Sequence, residues 1–218
     1  MRGNPCMLIL FLVVATMAQS ADSSAADFFP WTLNHRWVYG HDDGRALAVS
    51  VVSLGTDGSW AGLRIAMSGA DGSTWLTYWI KGAGGSLSLN SAVSEPPHYS
   101  MVIPGTVFPG TPILNGSYHS SGHCEVSDTL TGYSYSGFCD MYFRITAAGD
   151  VTVPAGTFFA YMTDYGWWLQ GWRFNGWVDG IGPLFFQSSS GDRFSLLQQG
   201  QITPIESASW GAIKQLYR

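Results

Sequence analysis

The chain has 218 residues, with 15 acidic and 10 basic side chains and a formal net charge of −5. Charged residues make up only 11%, while aromatic residues make up 15% and include ten tryptophans. This composition excludes coiled coils, which need abundant charged helix formers, and disordered chains, which lack aromatic surface. It also argues against nucleic acid as a partner, because phosphate binding depends on clustered Lys and Arg side chains.

The N-terminus predicts a signal peptide over residues 1–20. Arg2 precedes an apolar run over residues 7–18, and the small residues Ser20 and Ala21 follow as the expected cleavage region. The run is too short for a membrane span, which needs about 20 apolar residues. We therefore expect an exported protein, periplasmic or extracellular, with no transmembrane segment after cleavage. A retained N-terminal anchor is the alternative.

Cleavage would remove Cys6 and leave Cys124 and Cys139 in an oxidising compartment. The sequence therefore predicts a disulfide between Cys124 and Cys139, which would stabilise the fold by about 3 kcal/mol. Two buried thiols are the alternative.

Turn signals and alternating apolar residues predict one all-β domain over residues 21–218. Asp57-Gly58 and Asp71-Gly72 favour tight hairpin turns, so residues 45–80 are expected to form a three-stranded meander. Residues 91–121 are rich in Pro, Gly and Ser and are interpreted as loops with one or two short strands.

The C-terminus has a different pattern. Trp210, Ile213 and Tyr217 follow helical spacing, and Lys214 and Arg218 lie toward the negative end of such a helix. This predicts a short helix at about residues 208–218 that packs on the sheet. A frayed tail is the alternative, because so short a helix is marginal without docking.

Three motifs resemble elements of a group of uncharacterised exported bacterial proteins and lipoproteins. Phe29-Pro30 with Trp37-Val38-Tyr39 resembles an FP…WxY opening, residues 153–158 match VPAGTF, and residues 180–184 resemble a closing GVGLV strand. The resemblance implies a strongly curved antiparallel sheet, either an open barrel or sandwich-like, similar to the open half-barrel of periplasmic lipoprotein carriers. It supplies no catalytic residues.

No motif in the sequence predicts catalysis, a metal site or a cofactor. His119, His123 and Cys124 lie close together in sequence, but the Gly- and Ser-rich context lacks the helical pattern that would bring two His together at this spacing. If the chain were an enzyme, His41, His119 and Asp140 would be the polar residues to inspect.

An aromatic stretch gives the candidate binding residues. Aromatic faces can hold apolar chains or stack on sugars, and an arginine among them could orient an anionic head group. The predicted site residues are Trp167, Trp168, Trp172, Arg173, Phe174 and Trp177. The competing interpretation is that these rings only fill the hollow of the sheet.

The sequence thus favours a non-catalytic exported protein that binds an apolar or amphipathic ligand, a lipid or other small molecule, in the concave face of the sheet. One alternative is a glycan-binding β-sandwich with exposed tryptophans on a flat face. Another is a structural protein of the cell envelope. The sequence names no protein partner.

Overall fold

Twelve strands and one 3₁₀ turn make up the secondary structure that is described. The structure, a computed structural model, describes residues 27–68, 74–166, 173–187 and 191–201. The strands are β1 His35–Gly40, β2 Ala46–Leu54, β3 Trp60–Met67, β4 Thr74–Lys81, β5 Leu87–Glu95, β6 Tyr99–Phe108, β7 Ser117–Asp128, β8 Tyr133–Val153, β9 Gly156–Gly166, β10 Arg173–Val178, β11 Gly182–Gln187 and β12 Arg193–Gln201. The 3₁₀ turn spans Ala83–Gly85. The predicted signal peptide and C-terminal helix lie outside the described residues.

The strands follow one another around a closed antiparallel barrel. β1 closes it, because Trp37 lies opposite Gln199 of β12 on one side and opposite Val49 of β2 on the other. The all-β prediction is confirmed, and the curved sheet closes completely where an open barrel or a sandwich was expected. Closure gives both outer strands a partner, which removes the unpaired edges that an open sheet exposes. In the described part of the chain, no helix has the length and apolar character needed to cross a membrane.

The predicted meander over residues 45–80 is confirmed as β2, β3 and β4. At its first turn Gly58 has φ +71°, and the Ser59 amide donates to the Asp57 carboxylate at 3.0 Å. Asp-Gly therefore makes the turn for the reason that predicted it: glycine accepts a positive φ and aspartate caps the turn. The second predicted turn, Asp71-Gly72, lies outside the described residues.

The prediction of loops over residues 91–121 is wrong. Most of this region belongs to β5, β6 and β7, and residues 96–98 and 109–116 form the connections. Ala92, Met101 and Val107 are buried here, whereas nearby polar residues such as Ser94 and Ser100 are more exposed. A strand with one buried face needs only buried and exposed side chains in alternation. Backbone pairing with both neighbouring strands outweighs the weak strand propensity of Ser and Gly.

Aromatic rings fill the barrel. The largest fully buried side chains include Trp37, Trp79, Trp177, Tyr39 and Phe108. A twelve-stranded barrel is wider than the eight-stranded barrels whose interior side chains just fill. Large rings on inward positions are one way to pack that extra width at normal protein density.

A segment before β1 adds two further rings to the interior. Phe28 and Phe29 are 2% and 0% exposed. The Phe29 ring lies 4.8 Å from Trp37 and 5.6 Å from Trp79, and the Phe28 ring lies 4.7 Å from Phe108. We call Asp27–Phe29 the plug, because it enters the barrel from one end without belonging to a strand.

Polar contacts hold the plug at the barrel end. The Asp27 carboxylate pairs with Lys81 Nζ at 2.8 Å, and the Gly180 amide donates to the Asp27 carbonyl at 2.8 Å. Lys81 Nζ also lies 4.7 Å above the Trp31 ring. The ends of β4 and β10 therefore position the plug.

Two of the three sequence motifs meet in space. Trp37 Nε1 donates to the Ile181 carbonyl at 2.6 Å, and the Tyr39 hydroxyl donates to the Pro183 carbonyl at 2.9 Å. Gly182 has φ +107°, and a Cβ at this position would lie 3.1 Å from the Phe29 ring. A glycine is required here by both backbone angle and close packing, so these motifs serve packing.

Cys124 on β7 and Cys139 on β8 form a disulfide, as predicted, with Cα atoms 5.8 Å apart. They lie on neighbouring cross-strand positions, because Cys124 pairs with Gly137 and Cys139 pairs with Gly122. Both cysteines are at most 2% exposed. The disulfide therefore joins the two strands on their inward side.

Candidate binding seam between β9 and β10

Among the described residues, β9 and β10 share the fewest paired backbone positions of any two neighbouring strands. The two strands share a single paired position, Tyr161 opposite Trp177. Every other pair of neighbouring strands shares at least three such positions, the fewest being those between β11 and β12. We call this join the seam.

One side chain replaces the missing backbone pairing in the seam. The Thr163 amide donates to Asn175 Oδ1 at 2.8 Å, and Asn175 Nδ2 donates to the Thr163 carbonyl at 3.0 Å. The Gly176 amide also donates to Asn175 Oδ1, at 2.7 Å, and Gly176 has φ +66°. The amide side chain thus presents to β9 the donor and acceptor that a peptide group would present.

Replacing Asn175 with Leu should weaken this seam strongly. The substitution leaves the Thr163 amide and carbonyl without partners, which should lower the free energy of unfolding by about 2–3 kcal/mol in urea denaturation. Asn175→Asp keeps the acceptor and loses the donor, so its effect should be smaller. Asn90→Leu, at an exposed position of β5, is the matched control and should stay within about 0.5 kcal/mol of wild type. Equal loss in Asn90→Leu and Asn175→Leu would contradict a bridging role.

A groove of about 500 Å³ opens along the seam next to the plug. Its lining is Phe28, Thr157, Phe158, Phe159, Tyr161, Val178 and Asp179. Phe159 is 56% exposed, and its ring lies 5.7 Å from Tyr161 in an edge-to-face arrangement. The groove therefore offers solvent-accessible aromatic surface, with one carboxylate and no basic side chain in its lining.

A second, narrower recess lies at the other end of the seam. Its lining is Leu89, Thr106, Val107, Met141, Tyr142, Phe143, Tyr165, Arg173 and Phe174. Only about 20 Å³ of it is wide enough for a water molecule. Entry of a larger group would require a side chain to move, and Met141 is the most adaptable of those present.

Hydrogen bonds fix the polar side chain at the base of the recess. The Tyr165 hydroxyl donates to the Val107 carbonyl at 3.2 Å and accepts from Trp177 Nε1 at 3.2 Å. Burial raises the pKa of Tyr165 to about 12. The phenol is therefore neutral at physiological pH and acts as a structural link between β6, β9 and β10.

Three of the predicted site residues are placed by the structure. Arg173 is exposed and lines the recess, and Phe174 lines it from a buried position against Trp79, with ring centroids 4.9 Å apart. Trp177 is fully buried. Trp167, Trp168 and Trp172 lie outside the described residues, so their assignment to a site stays a prediction.

The sequence interpretation missed the β9 side of the seam. Phe158, Phe159 and Tyr161 line the groove but were not among the predicted site residues. The signal was present as two adjacent phenylalanines in a strand, since one of them must face away from the core when side chains alternate. Phe28 carried no signal, because it precedes the first strand.

The three polar residues proposed for an enzyme lie in two separate places on the barrel. His119 Nε2 lies 3.5 Å from Asp140 Oδ1 on the outer face of β7 and β8, where both side chains are about two-thirds exposed. His41 follows β1, six strands away around the barrel, with Nδ1 2.8 Å from Asp43 Oδ1. Hydrogen bonding, first from the Arg45 amide and then from the His41 and Arg45 side chains, lowers the pKa of Asp43 to about 2.

A third polar group does not match a catalytic triad. Ser136 Oγ and Glu125 Oε1 both approach Nε2 of His123, at 3.1 Å and 3.6 Å. A triad instead places the nucleophile and the carboxylate at opposite ring nitrogens. The described ranges also contain no group of three or more His, Cys, Asp or Glu side chains that could hold a metal ion.

Fold and seam together define a closed β-barrel with an aromatic interior and one weakly paired join. No family model matches the chain, and no curated protein matches it. One similar solved structure is a candidate lipoprotein from Parabacteroides distasonis, at 13% identity and TM-score 0.44, covering 81% of this chain and 99% of that one. Another is a candidate exported protein with a YmcC-like fold from Bacteroides fragilis, at 12% identity and TM-score 0.45, covering 81% and 100%. These values are too low to inform the function of this chain.

Proposed function

We propose that the protein is an exported, non-catalytic binding protein that takes an apolar or amphipathic ligand at the seam. The groove beside the plug carries this proposal, because it combines about 500 Å³ of space with exposed aromatic surface. Ligand pockets of proteins typically have volumes of about 300–1,000 Å³ and mainly apolar walls.

The interior itself is a poor alternative site. Trp37, Trp79 and Trp177 fill it together with the plug, and the recess by Tyr165 is too narrow for more than a water molecule. A ligand could enter the groove without any side chain moving, whereas the recess would have to widen first. We therefore place the ligand in the barrel wall, in contrast to the expected position in the concave face.

The charge of the groove determines which polar group an amphipathic ligand could place there. Asp179 is its one charged lining residue, and it is exposed. An anionic head group beside it would be repelled, whereas a neutral or cationic group would be accepted. Arg173 lies at the opposite end of β10, in the recess, and could not meet the same head group.

Export is supported by the predicted signal peptide and by the disulfide, since stable disulfides belong to oxidising compartments. An exported carrier or receptor of apolar molecules fits a compartment in which such molecules must cross an aqueous phase.

Titration with N-phenyl-1-naphthylamine, a neutral apolar dye, tests the proposal. We expect saturable binding at one site, with dodecan-1-ol as a competitor. Phe159→Ser should weaken dye binding at least fivefold while preserving the fold, because the side chain is already 56% exposed. Circular dichroism and thermal unfolding would confirm that the variant is folded.

Phe138→Ser is the matched control. Phe138 is 68% exposed on β8 but lines neither the groove nor the recess. Its substitution should leave dye binding unchanged. Absence of saturable binding, or equal weakening in both variants, would reject the groove as a ligand site.

A further inference from the structure

We propose that the outer face of β3 and β4 carries a second binding site, which takes a neutral glycan. The site is built on Trp60 and Tyr78. It lies on other strands than the seam, so it goes beyond the proposed function. Trp60 is 39% exposed and pairs with Ile80 across the two strands, while Tyr78 is half-buried and pairs with Gly62.

Alternation along both strands places the two rings on the outside of the barrel. Ala61 follows Trp60 in β3 and belongs to the core, and Thr77 and Trp79 flank Tyr78 in β4 and are buried as well. Successive side chains of a strand point to opposite faces of the sheet. The rings of Trp60 and Tyr78 therefore point away from the aromatic interior.

The Trp60 ring lies face-down on bare backbone. A Cβ at Gly55 would lie 2.5 Å from Cδ1, 2.5 Å from Nε1 and 3.1 Å from Cε2 of Trp60. Three atoms of the five-membered ring at such similar distances mean that the ring covers Gly55 with its face, and Gly55 is buried. Glycine permits this close approach. The opposite face of the indole is therefore left toward solvent.

Tyr78 continues this surface across the sheet. A Cβ at Gly62 would lie 3.5 Å from Cε1 of Tyr78, so the phenol also leans over a glycine. The ring centroids of Trp60 and Tyr78 lie 6.4 Å apart. We call these two rings the platform. It is long enough for a short stretch of a sugar chain.

Hydrogen-bonding side chains surround the platform. Ser53 and Ser91 lie on β2 and β5, the strands that flank the two rings, and they occupy the same cross-strand row as Tyr78. Further along β3, the Arg64 guanidinium donates to the Glu95 carboxylate at 3.1 and 3.3 Å. This pair is partly exposed, and its two charges offset each other.

A sugar ring matches this combination of surfaces. Its C–H groups form an apolar face that stacks on an aromatic ring, and its hydroxyl groups project from the rim toward the surrounding polar side chains. A purely apolar ligand would instead cover hydroxyl and charged groups without giving them hydrogen bonds. The offset charges give no attraction for an anionic polymer. The platform and its surroundings therefore favour a neutral glycan.

An array of neutral and acidic oligosaccharides tests the site with the purified exported protein. We expect binding to neutral members of the array. For the neutral oligosaccharide that binds best, isothermal titration calorimetry should show at least tenfold weaker binding by Trp60→Ala. Tyr133→Ala, at a ring that is 50% exposed on β8, is the control and should bind like wild type. Binding to acidic members alone, or to none, would overturn the inference.

Gly55→Ala tests the platform without removing a ring. The new methyl group would displace the Trp60 indole, so glycan binding should weaken at least fivefold. Gly149→Ala is the matched control, because a Cβ at that position meets open space. Circular dichroism would show that both variants are folded. Wild-type affinity in Gly55→Ala would mean that the seating of the indole does not matter, which contradicts the platform.

The dye titration separates this site from the seam. Trp60→Ala should bind N-phenyl-1-naphthylamine like wild type, and Phe159→Ser should bind the glycan like wild type. If a glycan binds and the dye does not, the proposed function fails while this inference stands. If the dye binds and is lost in Trp60→Ala, the platform is an apolar site and the inference fails.

Discussion

Phe29→Ala should lower the free energy of unfolding by about 3–5 kcal/mol, the range for truncating a fully buried phenylalanine. Phe29 is 0% exposed and its ring contacts Trp37, Trp79 and Trp177. Removing the ring would leave a cavity against three indoles. The plug belongs to no strand and can shift to fill part of it, so we expect the lower half of the range. Urea denaturation followed by tryptophan fluorescence measures the change.

Leu33→Ala is the control for Phe29→Ala. Leu33 lies in the same segment before β1 but is 48% exposed, and its truncation should change stability by at most about 0.5 kcal/mol. The folded Phe29→Ala protein should also show red-shifted tryptophan emission, because water would reach Trp37 and Trp177. If the two variants were equally stable, the plug would not be inserted in solution.

Local patterns in the sequence predicted local structure well. Asp57-Gly58 identified a hairpin, because the residue types at a tight turn are set by backbone angles that few other residues adopt. The disulfide was also predictable, since only two cysteines remain after the predicted cleavage and pairing needs no knowledge of the fold. These signals act within a few residues or through a unique pair.

The closure of the barrel could not be predicted in this way. Closure depends on the pairing of β1 with β12, in which His35 lies opposite Gln201 although the two residues are far apart in sequence. Nothing in the alternation of either strand specifies that partner, since any strand with one apolar face fits any other. The same limitation explains why residues 91–121 were interpreted as loops: their Ser-rich strands are stabilised by neighbours that the local sequence does not show.

Of the predicted site residues that the structure describes, Arg173 and Phe174 line the recess and none lines the groove. The aromatic stretch pointed to β10, and Phe174 and Trp177 proved to be buried in the core. The groove lies beside the N-terminal residues of β9, which precede Tyr161, the position at which β9 pairs with β10. On the C-terminal side of Tyr161, the Asn175 side chain bridges the two strands through Thr163. The sequence did not predict this bridge, because an Asn-Gly pair signals a turn. A gap between strands is a property of register, which single-sequence patterns do not contain.

Loss of the disulfide should lower the free energy of unfolding by about 3 kcal/mol, the chain-entropy value for cysteines 15 residues apart. The double variant Cys124→Ala and Cys139→Ala also loses two buried sulfur atoms, so its total loss in urea denaturation should reach about 4 kcal/mol. Alanine avoids placing a hydroxyl at positions that are at most 2% exposed. The loss should come mainly from the unfolded state, because the β7–β8 pairing around the cysteines runs without a break from Ser117 to Asp128 and can persist without the bond.

Reduced wild type separates the cross-link from the packing of the two sulfur atoms. It keeps both sulfurs in the core, so its loss relative to oxidised wild type measures the cross-link alone. The additional loss in the double alanine variant then measures buried volume, which should be about 1 kcal/mol or less because each substitution removes a single atom. The double variant should not respond to dithiothreitol. If oxidised and reduced wild type unfolded at the same urea concentration, the cross-link would not constrain the unfolded chain, and the stability of the β7–β8 ribbon would rest on its pairing and core contacts alone.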